Sequence, residues 1–396
     1  MSAIRIVYIL SLCTLASCLW KVRVTSTSSA TTTVSPPTTT VSPPTTTVSP
    51  PTTHAAFLPT SPPAIKPRTG VHRGYVEFYK FVEEAWYRKE KPFKKYGRAS
   101  MDYTWRTYID NHLKMGIRNF VLGYITITRS RIEFGGGTRM HREWGQTSAF
   151  KYLRRNVIAK GGRILVDIEF TDFHRTVFDE RVFIEEVAEF VREFPVDGFR
   201  IHAEDKSSEI PALKEDVFGS LKALLKTVRK LDMISAIWLK PRHWSEIFKH
   251  ELGGLADINF LSLDIRNDTD IPVFNTDLYA EEILLNATKA GMAPDNIVLS
   301  VPLASHSSIP RLGSFGYSSA ILDYGADPEG DGVVAADAEQ KSFYHFFSQK
   351  RGIDKIHLAR DRGLHGISVE CDRRRKHTDL IPWSPRSLTR ALATNV

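Results

Sequence analysis

Short apolar runs alternate with longer amphipathic stretches from about residue 70 to the end of the chain. Eight runs have the length of a strand: residues 74–81, 118–127, 163–170, 196–203, 234–239, 258–265, 297–304 and 366–370. Stretches with helical periodicity lie between them and include residues 103–115, 180–194, 211–231, 276–290 and 353–362. The alternation predicts an α/β protein with a parallel (β/α)8 TIM barrel. An open, doubly wound sheet is the alternative, but no glycine-rich phosphate-binding turn follows any of the runs.

The first residues have a different pattern, which is typical of a signal peptide. Residues 1–18 combine Arg5, a short apolar run and small residues near the end. We therefore expect a secreted, extracellular protein with no membrane span in the mature chain. A signal anchor is the alternative, because Lys21 and Arg23 follow the apolar run closely.

Residues 19–69 form a separate segment that is rich in Thr, Ser and Pro. Three tandem copies of T-T-T-V-S-P-P fill residues 31–51. Such a composition cannot bury apolar area, so a disordered, mucin-like stalk is predicted, glycosylated or unmodified. The barrel is then expected to occupy residues 70–396.

Overall composition excludes several classes of partner. The net charge is +8, and the basic residues are scattered rather than gathered in an arm, so no nucleic-acid partner is predicted. Of the cysteines Cys13, Cys18 and Cys371, one alone follows the signal peptide, so the barrel has no disulfide of its own. No cofactor and no metal site are predicted. Two sequons, at Asn267 and Asn286, agree with secretion.

The fourth apolar run carries polar residues at every second position. Arg200, His202 and Glu204 therefore share one face of a strand, while Phe199 and Ile201 share the other. In a TIM barrel, the residues that bind or react lie at the C-terminal ends of the strands.

Ionisable residues end several of the other runs as well. The candidates for this end of the barrel are Glu77, Asp167, Glu169, Arg200, His202, Glu204, Asp264, His306, Glu370 and Asp372. Their convergence predicts a cleft for a polar ligand, and structural ion pairs are the alternative for each of them.

The fourth run also carries a family resemblance. Residues 197–204 read D-G-F-R-I-H-A-E, which resembles the D-G-x-D-x-D-x-E signature of the family 18 glycoside hydrolases, the chitinases and chitinase-like proteins. Residues 257–264, 296–304 and 360–370 are similar to the sixth, seventh and eighth strands of that family. The resemblance covers almost the whole globular part. It implies a barrel whose mouth binds chitin or other N-acetylglucosamine-containing glycans.

The resemblance assigns a role to the last residue of the signature, but its neighbours differ. In the family, that glutamate protonates the glycosidic oxygen, and Glu204 matches it. The aspartate two residues before it orients the substrate's acetamido group, which acts as the nucleophile; His202 stands there, and Arg200 replaces the preceding aspartate. Arg200, and His202 when it is protonated, favour ionised Glu204, although Asp167 or Glu169 of the neighbouring strand could neutralise Arg200.

Further departures affect the sugar site that the resemblance implies. Leu263 replaces the tyrosine that holds the acetamido carbonyl, although Asp264 beside it is retained, and Glu370 replaces the floor tryptophan. Trp144, in a polar loop, is the candidate platform for stacking a sugar. The insertion over residues 305–347 is expected to be reduced and loop-rich, which argues against a deep cleft.

These patterns predict a secreted chitinase-like protein that binds glycans with little or no hydrolysis. An active chitinase with Glu204 as the acid is one alternative. A stalked adhesion or signalling protein without a glycan site is the other. The predicted ligand-binding residues are Asp167, Glu169, Arg200, His202, Asp264, Trp144 and Glu370.

Overall fold

A computed structural model gives the structure of residues 75–82, 105–134, 147–170, 178–202, 214–309, 312–337, 342–370 and 378–396. The predicted signal peptide and stalk lie outside these residues, and so do Trp144, Glu204 and Asp372. Predictions about them stay predictions.

The strands of the barrel follow the predicted apolar runs. They are β1 Glu77–Val82, β2 Asn119–Thr128, β4 Ile164–Phe170, β5 Gly198–His202, β6 Ile234–Leu239, β7 Ile258–Ser262, β8 Ile297–Pro302 and β13 Gly366–Glu370. Each is parallel to its neighbours, and β1 pairs with both β13 and β2, so the barrel is closed. A short strand, β3 (Arg131–Phe134), adds to β2 in antiparallel orientation. The predicted (β/α)8 barrel is therefore confirmed.

Helices connect the strands and cover the outside of the barrel. They are α1 Trp105–Lys114, α2 Thr147–Ala159, α3 Glu180–Glu193, α4 Lys214–Lys230, α5 Trp244–Lys249, α6 Asp277–Lys289, α7 Tyr317–Leu322, α8 Gln349–Asp361 and α9 Leu388–Asn395. In the described parts of the chain, no helix is both long and apolar enough to cross a membrane.

Alternation along the strands produces two separate cores. Phe199 and Ile201 of β5 belong to the outer core between strands and helices, as their positions in the sequence predicted. Tyr79, Leu165 and Phe260 belong to the inner core, which fills the lumen of the barrel. The barrel is thus packed through its centre.

One predicted mouth residue lies at the opposite end of the barrel. Glu77 begins β1, so it stands at the N-terminal end, where Tyr79 Oη donates to its Oε2 at 2.7 Å. Asn119 also donates to this oxygen, and His365 Nε2 lies 3.4 Å away. Burial opposes the ionised form, but His365 outweighs it and lowers the pKa of Glu77 to about 2. The prediction for Glu77 was wrong because β1 begins, rather than ends, with this residue.

The insertion after β8 is folded rather than loop-rich. Strands β9 Ala304–Ser307, β10 Ser314–Gly316, β11 Val333–Asp337 and β12 Ser342–Phe346 form an antiparallel sheet in the order β10-β9-β12-β11. Helix α7 follows β10 directly. The expectation of a loop-rich segment was wrong because strands of three to five residues leave no clear hydrophobic period.

Candidate ligand site at the mouth of the barrel

The C-terminal ends of the barrel strands surround one opening of the barrel, which we call the mouth. A cluster of ionisable side chains lies just below it. Strands β4 and β5 are paired in a register that sets Asp167 opposite Arg200. Both side chains point into the lumen. Arg200 Nε donates to Asp167 Oδ1 at 2.8 Å, and His202 Nε2 lies 2.6 Å from Asp167 Oδ2. Both carboxylate oxygens of Asp167 are therefore engaged. Of the two carboxylates that the sequence offered as partners for Arg200, Asp167 and Glu169, the structure pairs Asp167 with it.

The two charged members of this cluster are closed off from solvent. Asp167 and Arg200 are 1% and 2% exposed. Burial opposes the ionised form of Asp167, yet the charges of Arg200 and His202 together lower the pKa of this carboxyl. The Arg200 guanidinium also lies over the rings of Phe81 and Phe260, at 5.0 and 5.1 Å. Of the three, His202 is the residue that a ligand can reach, with 23% of its side chain exposed.

Trp238 connects this cluster to the opposite side of the lumen. The His202 ring stacks on the indole, with ring centroids 4.5 Å apart. Trp238 Nε1 then donates to Glu370 Oε2 at 3.0 Å, which joins β6 to β13 across the barrel. Lys240 Nζ lies 5.0 Å from the centroid of the same indole. Since Trp238 is only 4% exposed, it is a floor beneath polar groups rather than an open stacking platform.

Glu370 is held in an environment that favours its protonated form. Burial raises the pKa of this carboxyl to about 7, with a further increase from the negative charge of Asp264. Lys240, the indole N–H of Trp238 and the hydroxyl of Ser262 act in the opposite direction but do not outweigh burial. Glu370 thus titrates near neutral pH, whereas ordinary glutamates are ionised there.

Asp264 connects the mouth to the insertion sheet. His306 Nε2, on β9, lies 2.7 Å from Asp264 Oδ1, and the backbone N–H of Ile265 donates to the same oxygen. Burial opposes ionisation of Asp264, but His306, with help from Lys240, holds the pKa of this carboxyl well below its usual range. Asp264 is therefore ionised at neutral pH. The rings of Phe274 and His306 pack against each other in a T-shaped arrangement.

The structure brings together five predicted site residues: Asp167, Arg200, His202, Asp264 and Glu370. The backbone of Glu169 lies on β4, but its side chain is outside the description. Leu263, aligned with the family's tyrosine, is fully buried in the outer core. Sequence reasoning missed that Trp238 lies beneath the mouth and that Lys240 lies beside it. The available signal was that Trp238 and Lys240 are two positions apart at the end of β6, a spacing that places two side chains on the same face of a strand.

Within the described residues, no group of three His, Cys, Asp or Glu side chains is arranged to hold a metal ion. The predicted absence of a metal or cofactor stays a prediction.

No known protein family and no curated protein matches the chain in sequence. Solved structures with a similar fold include several chitinases. The chitinase of Chromobacterium violaceum ATCC 12472 is 12% identical with a TM-score of 0.55, covering 81% of this chain and 99% of that chain. A Bacteroides thetaiotaomicron chitinase is 12% identical with a TM-score of 0.55, covering 81% of this chain and 96% of that chain. The GH18 chitinase of the chitin utilization locus of Flavobacterium johnsoniae is 11% identical with a TM-score of 0.55, covering 81% of this chain and 93% of that chain. The chain therefore has the fold of family 18 chitinases.

Proposed function

We propose that this chitinase-like barrel is a secreted protein that binds chitin or other N-acetylglucosamine-containing glycans with little or no hydrolysis. The observation that carries the proposal is the ion cluster of Asp167, Arg200 and His202. Arg200 and His202 stand at the strand positions at which the family signature has two aspartates, and Asp167 pairs with both of them. Glycan binding is supported by the fold, since a structure of similar fold is an Ostrinia furnacalis chitinase domain in complex with penta-N-acetylchitooctaose.

The charge at these positions opposes the family's reaction. A substrate whose acetamido oxygen acts as nucleophile develops positive charge on that group, which a nearby carboxylate must stabilise. The side chains that β5 directs to the mouth are instead a guanidinium and an imidazole. The adjacent carboxylate, Asp167, already has both oxygens engaged by them. The polar floor of His202, Trp238 and Glu370 favours hydrogen bonding to a sugar over cleavage of one.

The test combines binding and turnover on the same protein. We expect calorimetric titration with chitohexaose to show saturable binding, and mass spectrometry to show intact chitohexaose after prolonged incubation. Turnover that disappears in Glu204→Gln would instead establish the active chitinase. A folded protein that binds no glycan on an array or in titration would support the adhesion or signalling alternative.

Secretion needs its own experiment, with the full chain expressed in a eukaryotic secretory cell. We expect protein in the medium that begins after the signal peptide, whereas protein retained in carbonate-washed membranes would show a signal anchor. The same material tests both sequons. Asn267 is exposed in the loop after β7, while Asn286 is half-buried within α6. We expect a glycosidase-sensitive mass shift that Asn267→Gln removes.

A further inference from the structure

Glu370 differs from the other carboxyls of the mouth in its contacts. Asp167 lies against Arg200 and His202, and Asp264 lies against His306. Glu370 receives a hydrogen bond from the neutral indole of Trp238 at 3.0 Å. In the described part of the chain, it forms no ion pair.

Among the described residues, the charged groups that act on Glu370 come from two elements. Lys240, after β6, is the cation that acts on it, and Asp264, after β7, is the anion. Lys240 also acts on Asp264, so its charge is shared between two carboxyls. His202 and His306 lie one residue further away, behind Trp238 and Asp264. On β8, the residue in register with Glu370 is Pro302, which has no polar side chain.

The contact with Trp238 also decides which oxygen carries the proton. The indole N–H donates to Oε2, and an oxygen that accepts such a bond is the carbonyl oxygen of a neutral carboxyl group. The hydroxyl of the acid therefore lies on Oε1. Glu370 is partly exposed at the end of β13, and the Ser262 hydroxyl also forms a hydrogen bond with its side chain, so a molecule in the mouth can take this O–H in place of Ser262.

Resting on the function proposed above, we propose that Glu370 binds the glycan as a neutral hydrogen-bond donor. Its Oε1 hydroxyl donates to an uncharged acceptor oxygen of the sugar, either a hydroxyl or an acetamido carbonyl. Asp264 and Asp167, being ionised, can only accept. Glu370 thus replaces the stacking surface of a floor tryptophan with a directional hydrogen bond, and it makes binding depend on pH.

The experiment is calorimetric titration with chitohexaose at pH 5.5 and pH 8.5 for the wild type and three variants. Glu370→Gln keeps an acceptor for Trp238 and an N–H donor that does not titrate. Glu370→Leu removes the donor. Glu193→Gln, at an exposed position in α3, is the matched control.

The wild-type affinity should fall relative to Glu370→Gln by about 30-fold from pH 5.5 to pH 8.5, because binding needs the protonated fraction of a group that titrates near neutral pH. The ratio isolates Glu370, since both proteins keep His202 and His306. Glu370→Leu should bind weakly at both pH values, and Glu193→Gln should follow the wild type.

Two outcomes would overturn the proposal, and they differ in what else they contradict. If the protein binds but the ratio of the wild-type affinity to the Glu370→Gln affinity does not change with pH, the role of Glu370 alone is overturned. Absence of binding at both pH values, in protein shown to be folded, would overturn the proposed function together with it.

Discussion

Asp167 is a buried carboxylate whose two oxygens are used by two different side chains of the next strand. Replacing it leaves the Arg200 guanidinium inside the barrel without a counter-charge, which is far more costly than losing an exposed pair. We expect Asp167→Asn to lower the free energy of unfolding by about 3–5 kcal/mol in urea denaturation at pH 7.

The matched control for this prediction is an exposed carboxylate that also contacts a cation. Asp331 lies 2.8 Å from Lys350 Nζ, and both side chains are largely in solvent. Asp331→Asn should leave the urea midpoint unchanged. Equal effects of the two substitutions would show that the Asp167 cluster is no more desolvated than the surface.

The raised pKa of Glu370 has a consequence for stability in the absence of any ligand. The group titrates near 4.5 in an unfolded chain and at about 7 in the folded one. Between these values the folded state binds more protons, so stability falls as the pH rises, and the loss is complete above pH 7. Glu370→Gln should therefore be more stable than the wild type by about 3 kcal/mol at pH 8.5 and equal to it near pH 4. Denaturation curves across this range measure the difference, and parallel curves would contradict it.

At this scale, the sequence predicted what one strand can determine. The alternation that placed Arg200 and His202 on one face of the strand depended on its local period. The choice of Asp167 or Glu169 as the partner of Arg200 depended on the neighbouring strand, and the register of the two strands selects Asp167. The contact of Trp238 with Glu370 crosses the lumen between strands that are not neighbours. No period along the chain contains that information.

At the scale of the elements, Gly198 is required by the close approach of two strands. A Cβ atom added there would lie 2.1 Å from the carbonyl oxygen of Ile234, in the backbone of β6. Gly198→Ala should therefore separate β5 from β6 and reduce the yield of folded protein or its thermal midpoint strongly.

Gly219 provides a matched glycine for this substitution. It lies on an exposed face of α4, with no atom within 4 Å of an added Cβ. Because alanine favours helix over glycine, Gly219→Ala should stabilise the protein by up to about 1 kcal/mol. Thermal unfolding of the two variants measures both effects. A tolerated Gly198→Ala would mean that β5 and β6 are not paired as described.

The predicted and observed bounds of an element agree where its structure depends mainly on its own sequence. Strands β6 and β13 have the predicted bounds, because each is a continuous apolar run. Helix α8 begins at Gln349, earlier than predicted, since the Ser348 side chain accepts the N–H of Arg351 and caps it. The four short strands of the insertion depend on one another for their hydrogen bonds, and no single one of them was predictable.

At the scale of the whole molecule, the barrel and the insertion share one hydrophobic core. Tyr317, Phe346 and Phe347 of the insertion belong to the same buried cluster as the outer faces of the barrel strands. His306 adds a polar contact to Asp264. The two parts should therefore unfold together.

Hydrogen exchange followed by mass spectrometry can check this. Amides of β9 and β12 should open with the same free energy as those of β7 and β8 under conditions that report global unfolding. His306→Ala should lower that free energy in both parts equally. Earlier exchange of the insertion alone would show an independent unit.

The whole-molecule fold was predictable because eight strands and their crossovers repeat one pattern. The site was predictable only in its location. The pairing of charges at the mouth and the protonation of Glu370 depend on desolvation and on distances across the lumen. The order of residues along the chain does not specify these.

The position of Trp238 has an optical consequence. Its indole touches an imidazole on one side and donates to a titrating carboxyl group on the other. Excited indole is quenched by neighbouring acids, so the emission of this ring reports the proton state of its surroundings. The difference between spectra of the wild type and Trp238→Phe then gives the emission of this ring alone. The emission of Trp238 should therefore change with the protonation of Glu370 at the floor of the mouth, and it can be followed without an added label.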